Sequence, residues 1–449
     1  MSDSFFVSEK RSREEDEAHD IFEDEESLDS LSESDEESKE TPAEKRLRLA
    51  KEYIENMRAD IADDEIDAAE IDKELIASRM LNAQMEEGGR IFKFIASNFE
   101  FSDENVENIS IKKFRGHRLA VTAVCISENE KFLFTASKDS NIIKWDLETG
   151  KKLHTFGSCI PPKSKKGKGK ESLPNPDGHF DHILALAVSS DGKYLASAGK
   201  DKQIHIWDAK ENKHLKCFKQ HRKAVTGLAF RKGHNQLYSS SLDRTIKIWN
   251  IDELSYVETL FGHQDGVVSI DSLSRENCVT VGLRDRTVRL FKIIEESQLV
   301  FRASIPHGGS LDVVKMLDEN CFASGSDNGT LCLWNINKKK PTFSLVGAHS
   351  QGIISLATVK FSDLLVSGSS DGSIKFWKLI SDQGIVKKAE LIGSLSVDGY
   401  LNSLSLSSSG KFLGVSIGQE PRLGRWGINK NVQNSCLLID LTFIIVSKE

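Results

Sequence analysis

No apolar run in this chain of 449 residues reaches the roughly 18 residues that a membrane-spanning helix needs, which predicts a soluble protein. The opening MSDSFFVSEKRSREEDE has no apolar core and is not a secretory signal. Seven cysteines, at 125, 159, 217, 278, 321, 332 and 436, never form a CxxC pair, and several fall inside strand-like runs. Reduced thiols in an intracellular protein are therefore expected, in place of disulfides or zinc. Catalytic signatures are missing too: there is no GxSxG and no HExxH, and the Gly-Lys run at 167–170 lacks the spacing of a phosphate loop. The expectation is a protein that is not an enzyme, with no cofactor, no metal and no small-molecule substrate.

Charge is present but unevenly spread. Residues 1–40 carry 17 acidic and 4 basic side chains, and residues 41–108 carry 17 and 9. The remaining 34 acidic and 47 basic groups lie in residues 109–449, so the larger part of the chain is basic although the whole carries −8. A basic domain suits a polyanionic partner, since net charge governs association more than fold.

Residues 1–40 are rich in Glu, Asp and Ser and are predicted to be disordered, because they cannot bury enough apolar surface to offset the entropy of ordering. They contain a short basic cluster, Lys10-Arg11-Ser12-Arg13, which reads as a nuclear-import signal or as a chance grouping. Ser32, Ser34 and Ser38 lie among acids, a context for acid-directed kinases or for a plain solvated tail. Thr41-Pro42-Ala43-Glu44 then has the form of a capping box with Pro at the first helical position. It predicts a helix through KRLRLAKEYIENM, and a second pattern from Asp64 to Glu87 ends at Gly88-Gly89. Residues 41–108 are thus read as a helical extension that docks on its own domain or on a partner.

From Ile109 onward the chain repeats itself. His221 precedes Asp243 by 22 residues, as His117 does Asp139, His179 does Asp201, His263 does Asp285 and His349 does Asp371. Each set frames short alternating strands and ends near an aromatic residue, at 145, 207, 249, 291, 334, 377 and 426. Most intervals are 42 or 43 residues, the period of a four-stranded propeller blade, while the first, 62, implies an insertion of about 20 residues near 157–177. Gly116-His117, Gly178-His179 and Gly262-His263, with Trp145-Asp146 and Trp207-Asp208, resemble the GH and WD signatures of the WD40-repeat family. That resemblance implies an all-β, seven-bladed β-propeller over 109–449. It also implies that His, a strand hydroxyl, the turn Asp and the Trp form a buried hydrogen-bonded set. By position these are His221, Ser239, Asp243 and Trp249, then His117, Thr135, Asp139 and Trp145, with His179, Asp201, Trp207, His263, Asp285, His349, Asp371 and Trp377 alike. Recurrence in blade after blade marks them as structural, since buried polar groups need partners wherever they occur.

Departures from the repeat stand out. Blade four has Phe291 for Trp and Val281 at the hydroxyl position; blade five has Asn328 for Asp, one residue closer to His307. Blade seven, read as Tyr400 to Trp426, has Val397 and Glu420 at the His and Asp positions. Closure is expected through a strand near Ile109–Phe114, with CLLIDLTFIIV (436–446) as a further strand. Three irregularities are candidate polyanion contacts. The insertion carries Lys163, Lys165, Lys166, Lys168 and Lys170, which can neutralise phosphates or simply be solvated. The turn of blade four carries Arg284 and Arg286 with Arg289 following, suited to RNA phosphates or to surface ion pairs. The segment GQEPRLGRW (418–426) brings Arg422 and Arg425.

The chain also resembles a narrower family, the nucleolar WD-repeat proteins associated with U3 small nucleolar RNA. The acidic N-terminus, TPAEKRLRLAKEYIE, RGHRLAVTAVCIS, SKDSNIIKWDLETGKKLH, SYVETLFGHQDGV, EESQLVF, YLNSLSLSSSGKFL and GQEPRLGRW carry that resemblance, several of them outside the generic repeat. It implies a nuclear and nucleolar component of the U3 box C/D ribonucleoprotein. Its partners would be U3 snoRNA, the box C/D core proteins including a small kink-turn-binding protein, and other proteins of the small-subunit processome that matures 18S rRNA. A different class stays open, a propeller that receives substrates for a ubiquitin ligase or a chromatin complex, with the 41–108 helices as its docking element.

Overall fold

Strands such as Ile246–Asn250, IKIWN, alternate buried and half-exposed side chains, and β-branched and aromatic residues fill the buried positions. Each buried Ile or Leu of this kind contributes about 1.5–3 kcal/mol relative to exposure. A lone four-stranded sheet cannot cover both of its faces, so stacking against like sheets is the available solution. The computed structural model describes residues 92–99, 101, 109–157, 178–302, 309–382, 385–424 and 426–442. Contacts divide the chain after Arg79, and every described residue belongs to the second unit, Met80–Glu449. The acidic tail, the helices predicted between residues 41 and 87, the Lys163–Lys170 insertion, His307 and Arg425 lie outside the described residues.

Seven antiparallel four-stranded sheets form the blades of a β-propeller, with strands a to d running from the axis outward. Blade three is the most regular: Val225–Phe230, Gln236–Ser241, Ile246–Asn250 and Ser255–Leu260. Its strand b is almost wholly buried, whereas strand d is largely exposed. Every strand a breaks register near its start, at the second residue in blades one to six, as between Val225 and Gly227 or Val121 and Ala123, and at the third, Asn402, in blade seven. This bulge turns the side chain of the extra residue toward the next blade. Thr122 donates to the Ile183 carbonyl at 2.6 Å, Thr226 to Val267 at 2.6 Å, and Asn402 Nδ2 to Val121 at 2.8 Å. At these three junctions the bulge residue ties one blade to the next beside a central channel of about 360 Å³.

Blade seven closes the ring, and here the repeat reading is corrected. Its strands are Tyr400–Leu406, Phe412–Gly418, Ser435–Asp440 and, from the start of the domain, Ile111–Phe114. Strand c is therefore the C-terminal run, and the segment ending at Trp426 is not a strand. Leu413 pairs with Ile439 as Leu237 pairs with Trp249, so Ile439 occupies the blade-seven tryptophan position. The 16-residue connection 419–434 between strands b and c displaced the aromatic from its period, since Ile439 follows Leu413 by 26 residues where Trp249 follows Leu237 by 12.

The described residues of the segment 92–101, placed by sequence in the helical extension, include no α-helix. They hold a single 3-10 turn, Ala96–Asn98. Asp363, in the a–b loop of blade six, accepts hydrogen bonds from the Ile95 and Ala96 N–H groups at 2.7 and 2.8 Å. Phe99 and Phe101 stack on Phe376 at 6.4 and 4.9 Å between centroids, within the core shared by blades six and seven. A chain beginning at Met80 is expected to melt near the full-length protein, whereas one beginning at Glu104 should lose several degrees, because it uncovers Phe376 and leaves Asp363 without partners. Scanning calorimetry of the two truncations checks this.

Candidate nucleic-acid interface

The blade sets decide which polar residues are spent on the fold. In blade three the Trp249 indole N–H donates to Ser239 Oγ at 2.9 Å, and Ser239 Oγ lies 2.8 Å from His221 Nε2. His221 Nδ1 is 2.9 Å from Asp243. Because the carboxylate only accepts, Nδ1 carries the proton and the serine hydroxyl donates to Nε2. The geometry is a Ser-His-Asp relay, but Ser239 is fully buried and already holds the indole. Burial raises the Asp243 carboxyl, yet His221, Thr245 and the Arg222 N–H together outweigh it and hold it well below its ordinary value. No substrate can reach that hydroxyl.

The other blades repeat and vary this. His117 joins Thr135 and Asp139 at 2.9 and 3.4 Å, with Trp145 donating to Thr135. His179 joins Ser197 and Asp201 at 2.8 and 2.5 Å, with Trp207 donating to Ser197. In blade four the hydroxyl is Thr280, 2.8 Å from His263, which is 2.7 Å from Asp285. The assignment of Val281 was one residue out, because the turn before Asp285 is one residue longer and Thr280, opposite Arg289, holds the register of Ser239, opposite Lys247. Blade six inserts a hydroxyl: His349 Nδ1 meets Ser373 at 2.8 Å, Ser373 donates to Asp371 at 2.5 Å, and Asp371 itself is 3.9 Å from the imidazole. Trp377 donates to Ser367 there, and in blade five Trp334 donates to Ser324. Among the described residues one potential metal-ligand group, His179, Asp201 and His205, has its ligand atoms within 4.8 Å of one another. Both His179 nitrogens are already bonded, and His205 Nδ1 meets His214 at 3.0 Å, so this is hydrogen-bonded core.

In an antiparallel meander the b–c and d–a connections all emerge at one end of the ring. The Arg284–Arg286 turn, the 419–434 excursion and both flanks of the 158–177 insertion, at Phe156 and Gly178, lie at that end. What the repeat conceals is the charge there. In blades one to four these connections expose Arg115, Arg118, Lys200, Lys202, Lys219, Arg222, Lys223, Arg244, Arg284 and Arg286, and Arg302 is exposed where strand d of blade four ends beside them. The aspartates of the b–c turns, Asp139, Asp201, Asp243 and Asp285, face inward to the histidines, while Asp181 and Asp265 in the d–a connections are half-exposed. Each set hides a negative charge and leaves its basic neighbours in water. Arg244 and Arg286 adopt positive φ, 70° and 53°, at the tips of their turns. In blades five and six the described connections hold no Lys or Arg and expose Asp327 and Asp398. Sequence inspection singled out only Arg284 and Arg286 in this arc; the signal for the rest was a Lys or Arg beside the repeated His or Asp.

Two other sequence candidates sit elsewhere. Arg289 is half-buried on strand c of blade four, and its Nη1 donates to Gln298 at 2.9 Å. Arg422 points into the channel, where Nε donates to the Leu184 carbonyl at 3.1 Å and Nη2 to that of Thr226. These are the bulge residues of blades two and three; Leu184 has no polar side chain with which to bridge that junction, and Arg422 spans it from blade seven. Burial lowers its guanidinium to about 10. Lys138 holds the same excursion through Glu420 and the Gly424 carbonyl, each at 3.0 Å.

With this geometry in view, similarity to known proteins becomes informative. The profile described as "WD domain, G-beta repeat" matches residues 108–146, 170–208, 212–250, 254–292, 305–335 and 339–378. U3 small nucleolar RNA-interacting protein 2 of Homo sapiens is 45% identical over 413 residues, 90% of this chain and 82% of that protein. The chain belongs to this family of U3-associated WD40-repeat proteins. Ribosomal RNA-processing protein 9 of Saccharomyces cerevisiae is 32% identical, covering 92% of this chain and 91% of its own length. A solved structure titled "Structure of U3-55K" superposes with a TM-score of 0.67 at 43% identity, covering 74% of this chain and 98% of that one. The profile leaves blade seven unmatched, which agrees with its displaced strand c.

Two outcomes are expected of this U3-family propeller. Arg422→Ala should cost about 1–3 kcal/mol of stability, through carbonyls that lose their donor, while leaving the salt dependence of polyanion binding unchanged; urea titration and binding at several salt concentrations check it. Burial first, then the neighbouring His179 and His214, push His205 down to about 2. The unfolded chain takes up that proton near pH 6.5, so the His205 contribution is complete above about pH 6.5 and is lost as pH falls below it. Wild type should therefore lose about 2 kcal/mol at pH 5 relative to His205→Phe. Asp312, pushed up to about 6 by burial, and His349, pushed down to about 4, are common to both proteins and cancel in that difference.

Proposed function

We propose that this chain is a non-enzymatic RNA-binding scaffold of the U3 box C/D small nucleolar ribonucleoprotein, acting in pre-18S rRNA processing within the small-subunit processome. The one-sided basic face of blades one to four carries this reading. Exposed cations neutralise a phosphate backbone and release its counterions, and a rigid ring holds the bound RNA in one orientation. The names of the relatives, one interacting with U3 small nucleolar RNA and one processing ribosomal RNA, support the same assignment. U3 snoRNA is the RNA so bound, the box C/D core proteins with their small kink-turn-binding member are neighbours on it, and the nucleolus is the compartment. Arg284 and Arg286 belong to the contact surface. Lys163, Lys165, Lys166, Lys168 and Lys170 join it from a segment anchored at the same end. Arg425 stands as a further contact, and Arg289 as a peripheral one.

Immunoprecipitation followed by sequencing of the bound RNA should enrich one small nucleolar RNA. Recovery of cullin-ligase subunits without RNA would overturn the reading. In vitro, Arg222→Glu with Arg244→Glu is expected to weaken RNA binding by roughly tenfold or more and to flatten its dependence on salt. Serine at the five loop lysines should likewise lower the salt slope, by about 0.7 for each phosphate contact removed.

A further inference from the structure

Six tryptophans occur in the sequence. Five, at 145, 207, 249, 334 and 377, are no more than 4% exposed, and each spends its indole N–H on a blade hydroxyl. Trp426 is 79% exposed. Its place in blade seven is filled by Ile439, so the fold has no structural use for it. The side chain rides on the 419–434 excursion, and that excursion is held firmly. Gln419 accepts from the Asn429 N–H at 2.9 Å, and its own N–H and Nε2 donate to Asn434 and to the Val432 carbonyl at 2.8 and 2.6 Å. Arg422 pins its middle inside the channel and Lys138 holds Gly424. The indole lies against Gly424, where a Cβ would overlap the ring, and Leu423 and Ile428 beside it are 43% and 54% exposed.

We propose that Trp426 is a stacking platform for an unpaired base of a single-stranded RNA laid across the mouth of the channel. The proposal rests on the RNA-binding reading above and adds to it how the RNA is recognised: as a single strand with splayed bases. Charge selects this occupant over an apolar protein segment. The excursion is bonded to blade one at Lys138 and Arg118 and reaches over to blades two and three through Arg422. Those are the blades whose connections expose cations and turn their b–c aspartates inward. An aromatic face on a preordered strap, at the end of the ring that exposes the cations, matches the combination by which proteins hold single strands: stacking on a ring beside a backbone-tracking electrostatic groove. Stacking tolerates any base, because every base has a π-face, so the site contributes affinity for unpaired RNA more than sequence choice.

The test uses the full chain, a 20-nucleotide mixed-sequence single-stranded RNA and the blunt duplex of the same sequence. Trp426→Ala should weaken single-strand binding about tenfold, leave duplex binding and the salt slope unchanged, and keep the wild-type melting temperature. Trp426→Tyr should stay within about threefold of wild type, as a smaller stacking ring. Because the other five indoles are buried, single-stranded RNA should quench the long-wavelength emission and shield it from iodide, and Trp426→Phe should abolish both signals. Wild-type affinity in Trp426→Ala, with binding lost in Arg222→Glu/Arg244→Glu, overturns the platform and leaves the basic face standing. If neither variant alters RNA binding, the RNA-binding reading itself falls. Loss of a co-purifying protein by Trp426→Ala with unchanged RNA affinity assigns the patch to protein and also overturns the proposal.

Discussion

A ring of sheets is stable only if it closes, because an unclosed ring leaves an apolar sheet face and an unpaired strand edge in water. In this chain closure depends on residues separated by more than 300 positions: Ile111–Phe114 pair with Ser435–Asp440, with Ile111 opposite Ile439 and Phe114 opposite Cys436. Everything else presupposes that pairing. It supplies the fourth strand of blade seven, it places Phe114 against Trp145 in the core shared with blade one, and it seats blade seven so that its bulge residue Asn402 donates to the Val121 carbonyl of blade one. The segment 92–101 reinforces the same region, tying the chain to blades six and seven just before it enters the closing strand.

Once the ring is closed, the arrangement of charge follows from the blade sets. A buried aspartate is tolerated because an imidazole and backbone N–H groups satisfy it. That requirement turns the aspartates of the b–c turns inward and leaves whatever basic residues flank them facing solvent. Four consecutive blades place Lys or Arg there and two do not, so a structural repeat with local seven-fold regularity acquires a one-sided field. The same groups that resemble a hydrolase relay are what make the face basic.

The repeat interval of 22 residues between His and Asp, and the 42- or 43-residue spacing of the aromatics, made the blades and most of their internal bonds readable in advance. Reading failed where loop length changed. One additional residue before Asp285 moved the hydroxyl from Val281 to Thr280, and the 16-residue connection after Gly418 moved strand c to Ser435–Asp440, so that the aromatic position of blade seven falls on Ile439 and not on Trp426. Arg422 illustrates a different failure: as an arginine in an irregular turn it looked like a surface ligand, and only its position over the channel shows it bonded to carbonyls of two distant blades.

Composition and periodicity were enough to establish an all-β repeat domain, its blade count, its basic character and the structural nature of its histidines, because each of these is a local pattern that recurs. Three-dimensional packing alone settled which face carries the cations, which arginine is spent inside the channel, and which tryptophan is left over. Those outcomes depend on how strands far apart in the chain are brought into register, and hydrogen-bond satisfaction across blades has no signature in the spacing of residues along a single one.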